Sequence, residues 1–239
     1  MRRALVTGGS GAIGSAICRA LAARDFEVIV HGNRNMQSAQ ALAKEIVASG
    51  GQARAVAFDV TDAAATAAAL EAILEDGPVQ VIVNNAGVHD DAAFPGMRAG
   101  QWHHVIDVSL NGFFHVTQPL LMPMIRTRWG RIVNITSVAG QIGNRGQANY
   151  AAAKGALHAA TKSLSLEVAS RGITVNAVAP GIIATAMSEA AFSGEAIERL
   201  VPMKRAGRAE EVASLVAFLV SDEAGYITGQ VIGINGGIA

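Results

Sequence analysis

The chain has 239 residues, 51% of them hydrophobic, which suits one sizeable α/β domain. Its 19 Lys+Arg balance 19 Asp+Glu, so no global field draws it to nucleic acid or to a membrane surface. The single cysteine, Cys18, excludes an internal disulfide, and no apolar run nears the roughly 20 residues that cross a bilayer.

Met1-Arg2-Arg3 is followed by only Ala4-Leu5-Val6 before Thr7-Gly8-Gly9 breaks the apolar run. This is not a secretory signal, and a cytoplasmic location is the expectation. From there, short β-rich runs alternate with longer Ala-rich helical patterns. Strands are predicted at Ala4–Thr7, Val28–His31, Ala53–Ala57, Val79–Asn84, Arg131–Thr136, Thr174–Ala179 and Gln230–Ile234. Helices are predicted near Ile13–Ala23, Met36–Ser49, Ala63–Glu75, Gln101–Ile125, Tyr150–Ser170 and Ala209–Val220. Val79-Gln80-Val81-Ile82-Val83 and Ile132-Val133-Asn134-Ile135 are nearly continuously apolar, as strands covered on both faces are.

The alternation predicts right-handed βαβ crossovers and a doubly wound parallel sheet of about seven strands with helices on both faces, of Rossmann type. No Pro/Ser-rich linker, charge block or repeat divides residues 1–239, so a single domain is expected. The least regular stretch runs from Gly181 to Met203. Within it, residues 184–203 are expected either as a substrate lid or as an ordinary surface excursion.

Between the first strand and the first helix lies Thr7-Gly8-Gly9-Ser10-Gly11-Ala12-Ile13-Gly14. Glycines there permit a tight turn and let backbone N–H groups approach a pyrophosphate, which the helix N-terminus also favours. Many strand-to-helix turns use glycine for conformation alone, but the position after the first strand favours a dinucleotide site. At the end of the second strand a carboxylate would select NAD. His31-Gly32-Asn33-Arg34-Asn35 has none; Arg34 could pair with a 2′-phosphate and Asn33 could donate to it, so NADP(H) is the cofactor expected.

Tyr150-Ala-Ala-Ala-Lys154 puts a phenol and an ammonium on one helical face, with Ser137 thirteen residues upstream of Tyr150. A phenol with a pKa of about 10 transfers protons poorly near neutrality, and a fixed cation lowers that value. The pair reads as an acid/base tyrosine tuned by a lysine; by itself it also reads as a Tyr at the core edge of an amphipathic helix.

Together these motifs resemble the short-chain dehydrogenase/reductase family over essentially the whole chain. Asp59-Val60, Asn84-Asn85-Ala86-Gly87, Pro180-Gly181 followed by Thr185, and Tyr226-Ile227-Thr228-Gly229…Asn235-Gly236-Gly237 complete the likeness. Gly143–Lys154, Ser170–Asn176 and Ser221–Gly229 are especially similar to 3-oxoacyl-[acyl-carrier-protein] reductases. The resemblance implies Tyr150 as general acid for reduction, Lys154 holding the nicotinamide ribose and lowering the tyrosine pKa, and Ser137 hydrogen-bonded to the substrate carbonyl. It also implies Asp59 and Val60 at the adenine, and Asn85, Ala86 and Gly87 along the cofactor path. Pro180 and Gly181 make the turn after the sixth strand, while Ile183 and Thr185 position the carboxamide. Asn84 is expected to pin the sheet through hydrogen bonds. No metal is required, and His89, His103 and His104 read as surface or structural residues.

Four departures stand out. Ala12 replaces the usual middle glycine, and Gly11 replaces an arginine common in the close reductases. Ser109 stands where the family has its fourth catalytic residue, an Asn; its backbone carbonyl could keep the water of the proton path, whereas Asn111, roughly 200° around a regular helix, should not substitute. Asp90 stands where close reductases commonly have Arg. Arg128 and Arg171 match the positions that engage an acidic carrier protein, and the family forms homodimers and homotetramers. The expected substrate is a 3-oxoacyl thioester on acyl carrier protein. Alternatives are another small ketone, for a carbonyl reductase or alcohol dehydrogenase, or no reaction at all, for an NADP-binding sensor.

Overall fold

Apolar runs such as Val81-Ile82-Val83 need cover on both sides, and alternate residues feed two separate cores. The computed structural model describes residues 1–33, 36–185 and 193–239. Seven strands, β1 (Arg2–Val6), β2 (Phe26–Gly32), β3 (Gln52–Ala57), β4 (Val81–Asn84), β5 (Gly130–Ile135), β6 (Ile173–Pro180) and β7 (Val231–Ile234), form one parallel sheet in the order β3-β2-β1-β4-β5-β6-β7. All seven predicted strands are present, with ends shifted by one or two residues.

On one face Ala4, Val6, Val28, Val81, Val83 and Val178 meet α1 (Ala12–Ala22), α2 (Met36–Ala48) and the helix Ala209–Leu219. On the other, Leu5, Ile29, Ile82, Ile132 and Val175 meet α3 (Ala63–Glu75), α5 (Gly112–Thr127) and the end of α7 (Ala148–Val168). Cys18 is fully buried in the first core, where burial raises its thiol pKa to about 12, so it is the inert small hydrophobe expected.

The long central helix departs from the regular one predicted. It runs as α4 (Ala99–Ile106), then five residues of π-helix, Asp107–Asn111, then α5. A π-turn inserts one residue and rotates the rest of the helix about its axis. It turns Ser109 inward, 3% exposed, while Asn111 stays on the surface and donates to Asp107 Oδ1 at 2.7 Å. The short helices α6 (Ala139–Ile142) and Gly194–Leu200 were not legible as periodic patterns. Of the expected lid, residues 186–192 lie outside the described residues; Val201 beyond them is buried, and Met203 N–H donates to Gly236 O at 3.1 Å. Among the described residues no helix is long and apolar enough to cross a membrane.

Candidate active site

The strand order reverses between β1 and β4, and that is where an open α/β sheet takes its ligands. Thr7 follows β1, and its hydroxyl accepts from the backbone N–H of Asn85 and of Ala86, both at 3.0 Å. Asn85 returns the clamp, donating from Nδ2 to Thr7 O at 2.9 Å and Gly8 O at 3.0 Å. Gly8 takes φ +60°, a left-handed conformation that a side chain would strain. A Cβ at Gly14 would fall 2.2 Å from Gly8 O, so helix α1 packs directly on the turn. Gly11 is the N-cap of α1 and supplies no side-chain cap, and Gly11 and Ala12 are exposed. Uncapped N–H groups at a helix N-terminus, above a turn with no side chain in the way, fit the pyrophosphate of a dinucleotide. Ser10 and Ile13 are partly exposed on the same turn.

Asn33 is exposed at the end of β2; Arg34 lies outside the described residues. Asp59 is fixed by Thr61, whose N–H and Oγ1 donate to its Oδ1 at 2.9 and 2.8 Å. Val60 is buried, and its carbonyl accepts from His115 Nδ1 at 2.8 Å. Across the sheet, Pro180 ends β6, Gly181 N–H donates to Ile234 O at 3.0 Å, and Ile183 bridges to Gly207. Thr185 comes next, partly exposed. All these residues follow the C-terminal ends of strands, on one edge of the sheet.

Ser137 lies two residues past β5, and α7 carries Tyr150 and Lys154 alongside it. Lys154 is 3% exposed; its Nζ donates to Ile135 O at 2.9 Å and sits 5.6 Å from the centre of the Tyr150 ring. Burial depresses the lysine pKa to about 8. The Tyr150 phenol is pushed upward by burial; a hydrogen bond with Ser137 opposes this, and the Asp91 carboxylate adds to it. The direction is opposite to the one expected from a neighbouring lysine, because desolvation outweighs the favourable contacts here.

Ser109 reaches the same place from the π-turn. A Cβ at Gly87 would approach Lys154 Nζ to 3.1 Å and Ser109 Oγ to 3.7 Å, so the two groups flank this glycine. Among the described residues, Ser109 Oγ is buried without a hydrogen-bond partner. Asn84 does pin the sheet: its Nδ2 donates to Thr117 Oγ1 at 3.0 Å and to Asn134 Oδ1 at 2.9 Å.

One residue that braces this candidate site escaped the sequence reading. Asn149, fully buried, donates from Nδ2 to Asp90 O at 2.9 Å and Gln101 O at 3.1 Å. Its Oδ1 accepts from Tyr150 N–H at 2.8 Å. The amide therefore ties the segment after β4 and helix α4 to the backbone of the tyrosine. Gln101 Nε2 and Gln147 Nε2 add bonds to Asp90 and Asp91, at 2.6 and 2.9 Å. The only hint was its place beside Tyr150.

His103 and His104 are exposed, and His89 Nδ1 lies 3.2 Å from Asp91 Oδ1. Among the described residues no three His, Cys, Asp or Glu side chains gather as a metal site. Arg128 and Arg171 are exposed but are not brought to this mouth. They precede β5 and β6, at the opposite edge of the sheet from Tyr150.

The family model for short chain dehydrogenases matches residues 2–196. The chain is 44% identical over 236 residues to 3-oxoacyl-[acyl-carrier-protein] reductase FabG of Aggregatibacter actinomycetemcomitans, covering 98% of each chain. It is 45% identical over 239 residues to the protein of the same name from Escherichia coli (strain K12), covering 98% of this chain and 96% of that one. Nodulation protein G of Rhizobium sp. (strain N33) is 44% identical over 243 residues, covering 100% of this chain and 97% of that one.

Proposed function

The chain belongs to the short chain dehydrogenase family, whose members are nicotinamide-dependent oxidoreductases, and from that premise we propose that it uses NADPH to reduce 3-oxoacyl thioesters on acyl carrier protein to 3-hydroxyacyl thioesters. The observation that carries this reading is the convergence of Ser137, Tyr150 and Lys154 beside Gly87, next to a glycine turn fit for a pyrophosphate. Gly8, Gly9, Ser10, Gly11, Ile13 and Gly14 hold the pyrophosphate side. Asn33 and Arg34 take the 2′-phosphate, Asp59 and Val60 the adenine, and Asn85, Ala86, Gly87, Pro180, Gly181, Ile183 and Thr185 the path to the nicotinamide. Bound there, the cofactor supplies hydride to the carbonyl carbon.

Ser137 hydrogen-bonds the carbonyl oxygen as charge develops on it. Tyr150 gives that oxygen its hydroxyl proton; burial holds the phenol in its protonated form, so the phenolate left by the transfer depends on the cation beside it. Lys154, still largely cationic near neutrality, holds the ribose and stabilises the phenolate left behind. Ser109 and the ammonium flank the route by which a water returns the proton. Because Arg128 and Arg171 lie at the far edge of their own sheet, a carrier held by them serves the Tyr150 of a neighbouring copy in a homo-oligomer.

The test is NADPH oxidation with acetoacetyl-carrier protein, beside acetoacetyl-coenzyme A, small ketones and an NADH control. Preference for NADPH and the carrier-linked ketone is the expected result. Turnover of other ketones alone would keep the chemistry and discard the substrate. Tyr150→Phe should lower turnover by about 10²–10⁴ while leaving NADPH affinity within a few-fold; binding without any wild-type turnover would point instead to a sensor.

A further inference from the structure

His31, next to last in β2, has 1% of its surface exposed and grips the glycine turn twice. Its carbonyl accepts from Gly9 N–H at 2.8 Å, and its ring Nδ1 accepts from Gly8 N–H at 3.0 Å. On the far side of the ring, Nε2 lies 2.8 Å from Phe58 O, and the ring packs against the Phe58 ring, tilted by 44° at 4.1 Å between centroids.

These partners dictate the proton. A backbone N–H can only donate, so Nδ1 carries no hydrogen; a carbonyl can only accept, so Nε2 carries one. The ring is thus the neutral Nε2–H tautomer, and a second proton would set an Nδ1–H against the Gly8 N–H. Burial lowers the His31 pKa and outweighs the bond to Phe58 and the charge of Asp59, both of which raise it. Asp59 faces the ring from the end of β3. From α1, Cys18 packs on the same turn: its Sγ lies 3.9 Å from Gly9 O, and its thiol is protonated across the physiological range.

We propose that His31 is a positioning residue for the cofactor: as a neutral imidazole it fixes the Gly8–Gly9 backbone from the neighbouring strand, and its protonation releases that backbone and weakens dinucleotide binding. The turn is then set from three sides, by His31 on β2, by Asn85 after β4, and by the Gly11 N–H donated to Gly8 O at 3.1 Å. The proposal rests on the reading that this turn takes the pyrophosphate.

Two conservative variants separate positioning from mere packing. In His31→Asn the Oδ1 occupies the place of Nδ1 and still accepts from Gly8, without titrating; in His31→Gln the Nε2 still donates to Phe58 but the acceptor is lost. NADPH affinity of the full chain is measured by calorimetry from about pH 8 to about pH 5, with thermal unfolding as the stability control. The 2′-phosphate itself titrates near pH 6 in every case, so the readout is the ratio of wild type to His31→Asn. At pH 8 His31→Asn should bind as wild type does and His31→Gln about tenfold more weakly, and as pH falls wild type should weaken relative to His31→Asn. Equal affinities for the Asn and Gln variants at pH 8, or a wild type that strengthens relative to His31→Asn as pH falls, would overturn the proposal. If the wild type binds but Gly14→Ala binds equally well, the pyrophosphate reading fails instead. Should neither His31 variant fold, ring ¹⁵N shifts of the wild type decide: an Nδ1–H tautomer or a cation at neutral pH refutes the latch.

Discussion

The ammonium of Lys154 donates at 2.9 Å to the carbonyl of Ile135, in a place where 3% of the residue remains exposed. Among the described residues no carboxylate offsets this burial, and the pKa falls from 10.5 to about 8. The folded value is the lower one, so the unfolded chain holds the extra proton between about pH 8 and 10.5, and stability rises with pH across that window. Below about pH 8 the full cost is present, on the order of 3 kcal/mol. Lys154→Met should therefore raise the unfolding temperature at pH 7 while abolishing turnover. The Cys18 thiol, raised from 9.0 to about 12, acts in the opposite direction over part of the same range, and the difference between wild type and variant cancels it. Unfolding curves that stay parallel from pH 7 to 10.5 would contradict the argument.

Asn149 commits both ends of its amide to three backbone groups, Asp90 O, Gln101 O and Tyr150 N–H. Removing it takes a partner from three half-buried backbone groups, at about 1–3 kcal/mol for each that neither water nor the helix satisfies. Asn149→Ala should lower the unfolding temperature and reduce kcat about tenfold, with a smaller change in KM, because the tyrosine rather than the mouth is loosened. Asn149→Asp should be worse still, since a carboxylate there faces two carbonyl oxygens. The comparison needs only steady-state kinetics and a melting curve; an aspartate variant as stable as wild type would reject the hub.

The sheet was legible because its central strands are nearly continuously apolar, as two-sided cover requires, and the Tyr150–Lys154 pair because four residues return a helix to the same face. The π-turn was not, since one inserted residue barely disturbs a hydrophobic period. Asn149 and His31 looked like single polar residues in a helix and a strand; their partners, Asp90, Gln101 and Phe58, are remote in sequence. The direction of the Tyr150 pKa needed the same information. Spacing revealed its lysine, but burial and Asp91 decide the sign.

Ser109 Oγ carries a desolvation cost with no partner among the described residues. Ser109→Ala removes that cost, so stability should hold or rise by up to about 1 kcal/mol. If the hydroxyl helps to hold the returning water, turnover should nonetheless fall several-fold and the solvent isotope effect should grow. A loss of stability would instead reveal a structural partner, and unchanged kinetics would remove the Ser109 hydroxyl from the proton path and leave that task to its backbone carbonyl.

At the opposite edge of the sheet, Trp129 is sandwiched between two guanidiniums, Arg2 at 3.6 Å and Arg131 at 4.3 Å from its ring centre. Asp222 closes the stack: it accepts from Trp129 Nε1 at 2.8 Å and from Arg2 Nη1 at 3.1 Å, and lies 3.6 Å from Arg131 Nη2. Arg131 is 4% exposed, and burial depresses its pKa while Asp222 counters that effect. The bond from Trp129, then that from Arg2, hold the Asp222 carboxyl below its usual 3.8. This stabilisation is complete above about pH 3.8 and is lost as pH falls through the lower folded value. Asp222 is itself largely exposed, which screens the pair, so Asp222→Asn should cost about 1 kcal/mol near neutrality and flatten the acid limb of the stability curve. Because none of these groups lies on the edge that carries Tyr150, kcat and NADPH affinity should not move. A variant that unfolds at the wild-type temperature would make the stack ornamental, and one that loses turnover while keeping its stability would show that the two edges of the sheet are coupled.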